Sequence, residues 1–73
     1  MEKIDAIGLL CPLPVLKLRK RMTKLAAGAE VELHADDPAA MIDVPHFCHE
    51  AGHSLLSVED ADAYTIYRLR KGG

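Results

Sequence analysis

Cys11 stands in the run Asp5-Ala6-Ile7-Gly8-Leu9-Leu10-Cys11-Pro12-Leu13-Pro14, directly ahead of a strong helical pattern. A cysteine at a helix start meets the positive end of the backbone dipole, which favours thiolate, the reactive form of the side chain. With Cys11 as the N-cap, Pro12, Leu13 and Pro14 become the first three helical residues. Proline fits the first of these positions because its missing N–H would go unpaired there in any case. The backbone N–H groups of Leu13 and Val15 remain as donors. They are expected to face the Cys11 sulfur and to stabilise a thiolate or a persulfide anion. A residue before proline resists helical dihedrals, so slight strain is expected at Leu13. The chemistry suggested is nucleophilic sulfur chemistry at Cys11, supported by Pro12, Leu13, Pro14 and Val15. The prolines also stiffen the segment, so the thiol can enter a partner's active site with little loss of entropy.

Other residues suggest chemistry less strongly. Lys17, Lys20, Arg21 and Lys24 fall on one helical face and form a basic stripe that could steer an acidic partner, or a tRNA–protein complex, toward the thiol. Cys48 beside Phe47 reads as a core residue. Its alternative role, as a resolving thiol for Cys11, needs the two Cα atoms within about 7 Å. His46, His49 and His53 recur at spacings of three and four, but Gly52 is expected to end the helix before His53. They read as a solvated face, and no metal site is expected. Asp37 before Pro38 reads as a helix cap rather than an acid–base pair with Asp36, and Asp5 as a brace for the cysteine loop. Gly72-Gly73 raises a rival, a carrier loaded as a C-terminal thiocarboxylate. Such carriers open with a strand hairpin, whereas here a strand leads into a long helix, and the tail reads as a frayed end.

The elements that must position Cys11 follow from periodicity. Residues 3–7 alternate weakly and predict a strand, with a turn over 8–10. Residues 12–27 predict a helix with Val15, Leu18, Met22, Leu25 and Ala26 on its apolar face and Gly28 as its stop. Residues 30–36 alternate as a half-buried strand. A short second helix follows Asp37-Pro38, interrupted or restarted at Pro45, with Val44, Phe47, Cys48 and Ala51 inward and Gly52 ending it. Residues 54–59 and 63–70 predict two further strands joined at Asp60-Ala61-Asp62. The layer rules then give an α/β (α+β) two-layer sandwich of strand, helix, strand, helix, strand, strand, with two helices on one face of a four-stranded mixed sheet. The first strand–helix–strand unit is expected to cross over right-handed.

Seventy-three residues allow one domain, 1–73, and a marginal core. A deep cofactor pocket does not fit, so chemistry must sit near the surface and be completed by a second protein. Only 4% of residues are aromatic, so aliphatic side chains must fill the core. A net charge of −2 argues against general, direct nucleic-acid binding. Two cysteines are too few for a disulfide scaffold. The opening residues do not read as a secretory leader, and the longest uncharged run, Ala6 to Leu16, is too short for a membrane span. A reducing cytoplasm is the expected location.

At these residues the sequence resembles the TusA/SirA-like sulfur carriers. The resemblance runs through Asp5-Ala6-Ile7-Gly8-Leu9, Cys11-Pro12, Pro14-Val15, Arg19-Lys20, Gly28 and Ala35-Asp36-Asp37-Pro38-Ala39. It continues through Asp43, Pro45 and Phe47-Cys48 to Arg70-Lys71-Gly72-Gly73, covering essentially the whole chain. It implies a sulfurtransferase-type carrier whose Cys11 accepts sulfane sulfur as a persulfide, with no resident cofactor. The implied donor is a pyridoxal-phosphate cysteine desulfurase or a rhodanese-like protein, and the implied acceptor is another sulfur relay protein. The implied products include tRNA 2-thiouridine and, in some members, the molybdenum cofactor or products of sulfur oxidation. Two positions depart from the family's habit. Leu13 stands where several members carry an acidic residue, and Leu10 where a polar or basic one is frequent, so the rim of the sulfur site is more apolar.

Overall fold

The computed structural model describes all 73 residues. It contains β1 (Glu2–Asp5), α1 (Leu13–Met22), β2 (Glu30–Ala35), α2 (Ala40–Ala51), β3 (Ser54–Asp60) and β4 (Thr65–Arg70). The sheet order is β1-β2-β4-β3. β1 and β2 are parallel, and β4 is antiparallel to both its neighbours. Both helices cover one face of this mixed sheet.

Alternation in β2 decides which face is inside. Val31, Leu33 and Ala35 are buried, and their partners across β4, Leu69 and Tyr67, are buried with them. Leu18 and Met22 of α1 and Val44, Phe47 and Cys48 of α2 close the layer from above. The opposite face carries charge. Glu30 pairs with Arg70 at 3.0 Å, Glu32 with Arg68 at 3.3 Å, and Arg68 with Glu59 at 2.9 Å. Residues 30 and 70, and 32 and 68, are direct cross-strand neighbours, so opposite charges reinforce the register that the core demands.

Two elements differ from expectation. Helix α1 ends at Met22 rather than running to residue 27. Its last residues turn tightly instead: Lys24 N–H bonds to Arg21 O at 3.1 Å, Leu25 N–H to Met22 O at 3.2 Å, and the Thr23 hydroxyl donates back to Lys20 O. Helix α2, in contrast, runs unbroken through Pro45. The carbonyl that Pro45 leaves without its helical donor belongs to Met41, which is exposed and can bond to water. No helix is long and apolar enough to cross a membrane.

The chain's end is docked rather than frayed. Lys71 N–H donates to Ala29 O at 2.8 Å, Gly28 N–H to Lys71 O at 2.9 Å, and Lys71 Nζ to Met22 O at 2.6 Å. Gly72 N–H donates to His53 Nδ1 at 3.0 Å. That bond requires Nδ1 to be unprotonated. Burial, and then the charge of Lys71, lower the His53 pKa below its ordinary value. The folded state therefore holds His53 neutral. Its contribution is complete above about pH 6.5 and is lost as pH falls through the lowered folded value. The melting temperature of wild type should drop relative to a His53→Asn chain on acidification below about pH 6, because an asparagine carbonyl accepts the Gly72 bond at any pH. Parallel melting curves for the two chains would refute the latch.

Candidate functional site

The two parallel strands fix where the chemistry sits. β1 ends at Asp5 and leads into α1, and β2 ends at Ala35 and leads into α2. Both helix N-termini therefore lie beyond the carboxyl edge of the parallel pair, the usual place for sites in open sheets of this kind. Cys11 lies there, exposed, while Cys48 is buried.

The loop that presents Cys11 hangs from three aspartates. Asp5 Oδ1 accepts Ile7 N–H at 3.0 Å, and Asp36 Oδ1 accepts Gly8 N–H at 2.9 Å. Asp37 Oδ2 accepts the N–H of Cys11 itself. Gly8 takes φ +85°, the turn that reverses the chain toward the cysteine. Asp5 does brace the loop. Asp37 is not the cap of α2, whose N-cap is Ala39 without a side-chain bond: its Oδ1 accepts Ala39 N–H at 3.1 Å in the turn before the helix, and its other oxygen anchors Cys11. Helix α2 itself begins later, at Ala40.

The start of α1 differs from the expected arrangement. Pro12, not Cys11, is the N-cap residue, and the first helical bond runs from Leu16 N–H to Pro12 O at 3.1 Å. Leu13 N–H closes a turn on Leu10 O at 2.8 Å, so it is spent there and does not face the sulfur. Pro14 is buried in the core, and Leu13 points outward. Pro12 and Val15 line the same groove as Cys11.

The sulfur's partner is a residue the sequence reading did not assign to the site. Cys11 Sγ donates to Asp43 Oδ2 at 2.9 Å. This bond, with burial and the charges of Asp43 and Asp37 acting in the same direction, raises the Cys11 pKa above the ordinary cysteine value. The contact with Asp43 opposes the expected dipole-stabilised thiolate and favours the protonated thiol. The reason is proximity, since a hydrogen-bonded carboxylate outweighs the partial charge of a helix end.

Cys11 opens onto a groove of about 240 Å³ between the helices, lined also by Arg19 from α1 and by Asp43, His46, Phe47 and Glu50 from α2. A second hollow of about 390 Å³ shares Arg19, Phe47 and Glu50 and continues to His53 and Lys71. Arg19 lies over the Phe47 ring at 5.5 Å, and His46 faces Glu50 at 3.6 Å. The basic stripe lies elsewhere. Lys17, Lys20, Arg21 and Lys24 share their own depression, so the structure does not bring them to Cys11, and Arg19 supplies the cation there. Within the stripe, Lys17 donates to the Asp5 carbonyl and Arg21 pairs with Glu2 at 2.8 Å. Leu10 and Leu13, close to Cys11 in sequence, and Ile42, next to Asp43, are exposed. The histidines do not converge: His53 serves the C-terminal latch, and no three His, Cys, Asp or Glu side chains form a metal-ligand cluster.

A small two-layer domain here presents one accessible thiol, Cys11, at the mouth of an open groove. The family model for "Sulfurtransferase TusA" matches residues 2–71, and the chain belongs to that family. Its general role is therefore that of a sulfur carrier, or sulfurtransferase, in relay with partner proteins. A SirA-like protein of Desulfitobacterium hafniense has the same fold, with a TM-score of 0.85, 24% identity, and full coverage of both chains.

Proposed function

We propose that Cys11 carries sulfane sulfur as a persulfide. A pyridoxal-phosphate cysteine desulfurase or a rhodanese-like protein loads it, and a thiol of the next relay protein unloads it, for tRNA thiolation or another sulfur-containing product. The observation that carries the reading is that Cys11 is exposed at the mouth of a groove while Cys48 is sealed in the core. In loading, Cys11 Sγ attacks the terminal sulfur of the donor persulfide. A new S–S bond forms, the donor's S–S bond breaks, and its electron pair stays on the donor cysteine. Pro12 and Val15 frame the attack, and Asp37 holds the Cys11 main chain. No resident cofactor is needed, because the cargo is held covalently, and a reducing cytoplasm suits a free thiol.

The test is peptide mass spectrometry after incubation with a desulfurase, cysteine and pyridoxal phosphate. One sulfur on the Cys11 peptide is the expected result, and sulfur on the C-terminal peptide would replace this reading with the thiocarboxylate one. The docking of Gly72 counts against that rival, since a thiocarboxylate carrier must extend its end into an activating enzyme.

The basic stripe serves the encounter rather than the chemistry. Lys20 and Lys24 are its cations without an ion pair or hydrogen bond, so they are the ones left to meet an acidic partner. Lys20→Glu combined with Lys24→Glu should slow loading from the protein donor about tenfold at low salt. Loading from glutathione persulfide should be unchanged. Equal slowing with both donors would remove the stripe from partner recognition. RNA binding that is salt-steep and indifferent to Cys11 would favour a regulatory module instead.

A further inference from the structure

We propose that Asp43 sets the sulfur-transfer potential of Cys11: its carboxylate favours the empty thiol over the loaded persulfide, so the carrier gives up its cargo readily. The inference rests on Cys11 as the persulfide carrier. It begins from a contact that exists only in one of the two states. In the empty protein Sγ carries a proton and donates it to Asp43 Oδ2 at 2.9 Å. In the loaded protein Sγ is bonded to the second sulfur and has no proton to give.

The exchange with a small persulfide balances without an oxidant or reductant. Cys11-SH and R-S-S⁻ give Cys11-S-S⁻ and R-SH. The Sγ–S bond forms, the R-S–S bond breaks, and the Cys11 proton ends on the R thiol. A persulfide is a stronger acid than its parent thiol, so the loaded side chain is an anion at neutral pH, where the empty one is neutral. Loading thus removes a charge-assisted hydrogen bond and sets a new anion beside Asp43. Both changes oppose loading. A group that interacts better with one state shifts the equilibrium by its differential interaction with the two.

The surroundings do not cancel this. Arg19 from α1 and His46, Glu50 and Asp43 from α2 line the groove around Cys11, and Asp37 holds its N–H from the segment between β2 and α2. Arg19 and a protonated His46 would favour an anion, but the hydrogen bond of Sγ runs to a carboxylate. Asp37 and Glu50 carry the same sign as Asp43. The raised Cys11 pKa has Asp43 as its first cause, in agreement with that geometry. Asp43 also lies in the first turn of α2, so its backbone stays at the groove when cargo arrives.

The test is the partition of sulfur between glutathione persulfide and Cys11, measured by peptide mass spectrometry over a range of glutathione to glutathione persulfide ratios. Asp43→Asn keeps an acceptor and removes the charge, and Asp43→Ala removes both. The partition constant should move toward loaded Cys11 by about threefold to tenfold in the asparagine chain, and by at least as much in the alanine chain. The pH at which iodoacetamide alkylation of Cys11 reaches half its limiting rate should fall in both, which a purely structural role for Asp43 would not produce. Unchanged partition constants, or an unmoved alkylation profile, in chains that still load Cys11 would overturn the inference and leave the carrier reading standing. Wild type that takes no sulfur onto Cys11 from either glutathione persulfide or a desulfurase would overturn both.

Discussion

A Cys11→Ser chain is expected to take up no sulfur from any persulfide donor, while a Cys48→Ala chain takes up as much as wild type. The contrast follows from where the two thiols sit. Cys48 is 3% exposed, packed on the inner face of α2, and burial pushes its thiol up to about 11. At pH 7 only about one molecule in ten thousand would hold it as thiolate, and no donor persulfide could reach it there. Cys11 has the opposite placement. Its pKa is raised first by the bond to Asp43 and then by partial desolvation, yet the thiol is exposed, so the proton can be handed over at the surface as the donor's sulfur arrives. Serine in its place offers a hydroxyl that no pH in the working range ionises. Alanine is the better replacement at position 48, because a serine hydroxyl would be buried there without a sure partner. Peptide-resolved mass spectrometry after desulfurase loading reads both chains. Retention of sulfur by the Cys11→Ser chain, on any peptide, would end the assignment.

Much of the scaffold under Cys11 was legible because local periodicity and burial agree. The alternation of Val31, Leu33 and Ala35 marked β2, and all three are at most 1% exposed. Leu18 and Met22 marked the inner face of α1, with Val15 packed at its margin. Gly52, with φ +76°, ends α2 as its position suggested. Helix ends were read less well, because they depend on hydrogen bonds that compete at single residues. The Thr23 hydroxyl and the tight turn after it stop α1 early, and Pro45 is carried inside α2 because tertiary packing of Val44, Phe47 and Cys48 outweighs one missing bond.

The electrostatics of the site were the least legible part, and the cause is register. A strand–helix–strand crossover was foreseen, but not that Asp5 would stand beside His34 in the parallel pair. That alignment places Asp36 and Asp37 alongside the loop from Ile7 to Cys11, where they accept its N–H groups. Asp43 comes close only because both helices start from the same edge of the sheet. Nothing in the spacing of residues 11 and 43 announces a 2.9 Å contact. The rule for helix starts favours a thiolate, and a carboxylate 32 residues away pushes the Cys11 pKa the other way. The raised pKa does not weaken the carrier reading. On the proposed reading, reactivity comes with a proton transfer at the moment of exchange rather than from a standing charge.

Gly72→Ala should cost about 0.5–1.5 kcal/mol, the worth of the bond to His53 that is lost when residue 72 must leave its site. A chain of this length has about 4–11 kcal/mol of total stability, so the loss is a measurable fraction of it. A Cβ built on Gly72 would fall 1.7 Å from the Gly52 carbonyl oxygen, far inside the 3.0 Å below which such contacts do not occur. The Gly52 side of the contact is backbone at a helix end, so residues 72–73 must swing away and give up the Gly72 bond to His53. Gly52 ends α2, and the segment before Gly72 is tied by Lys71 N–H to Ala29 O, by Gly28 N–H to Lys71 O, and by Lys71 Nζ to Met22 O. The melting temperature should fall by roughly 4–8 °C for each kcal/mol lost. A chain ending at Lys71 forfeits the same bond to His53, so it should melt close to Gly72→Ala. It should also load Cys11 fully, although it has no Gly-Gly terminus to activate. A Gly72→Ala chain that melts with wild type would mean the tail is free, and would return the C-terminal route to contention.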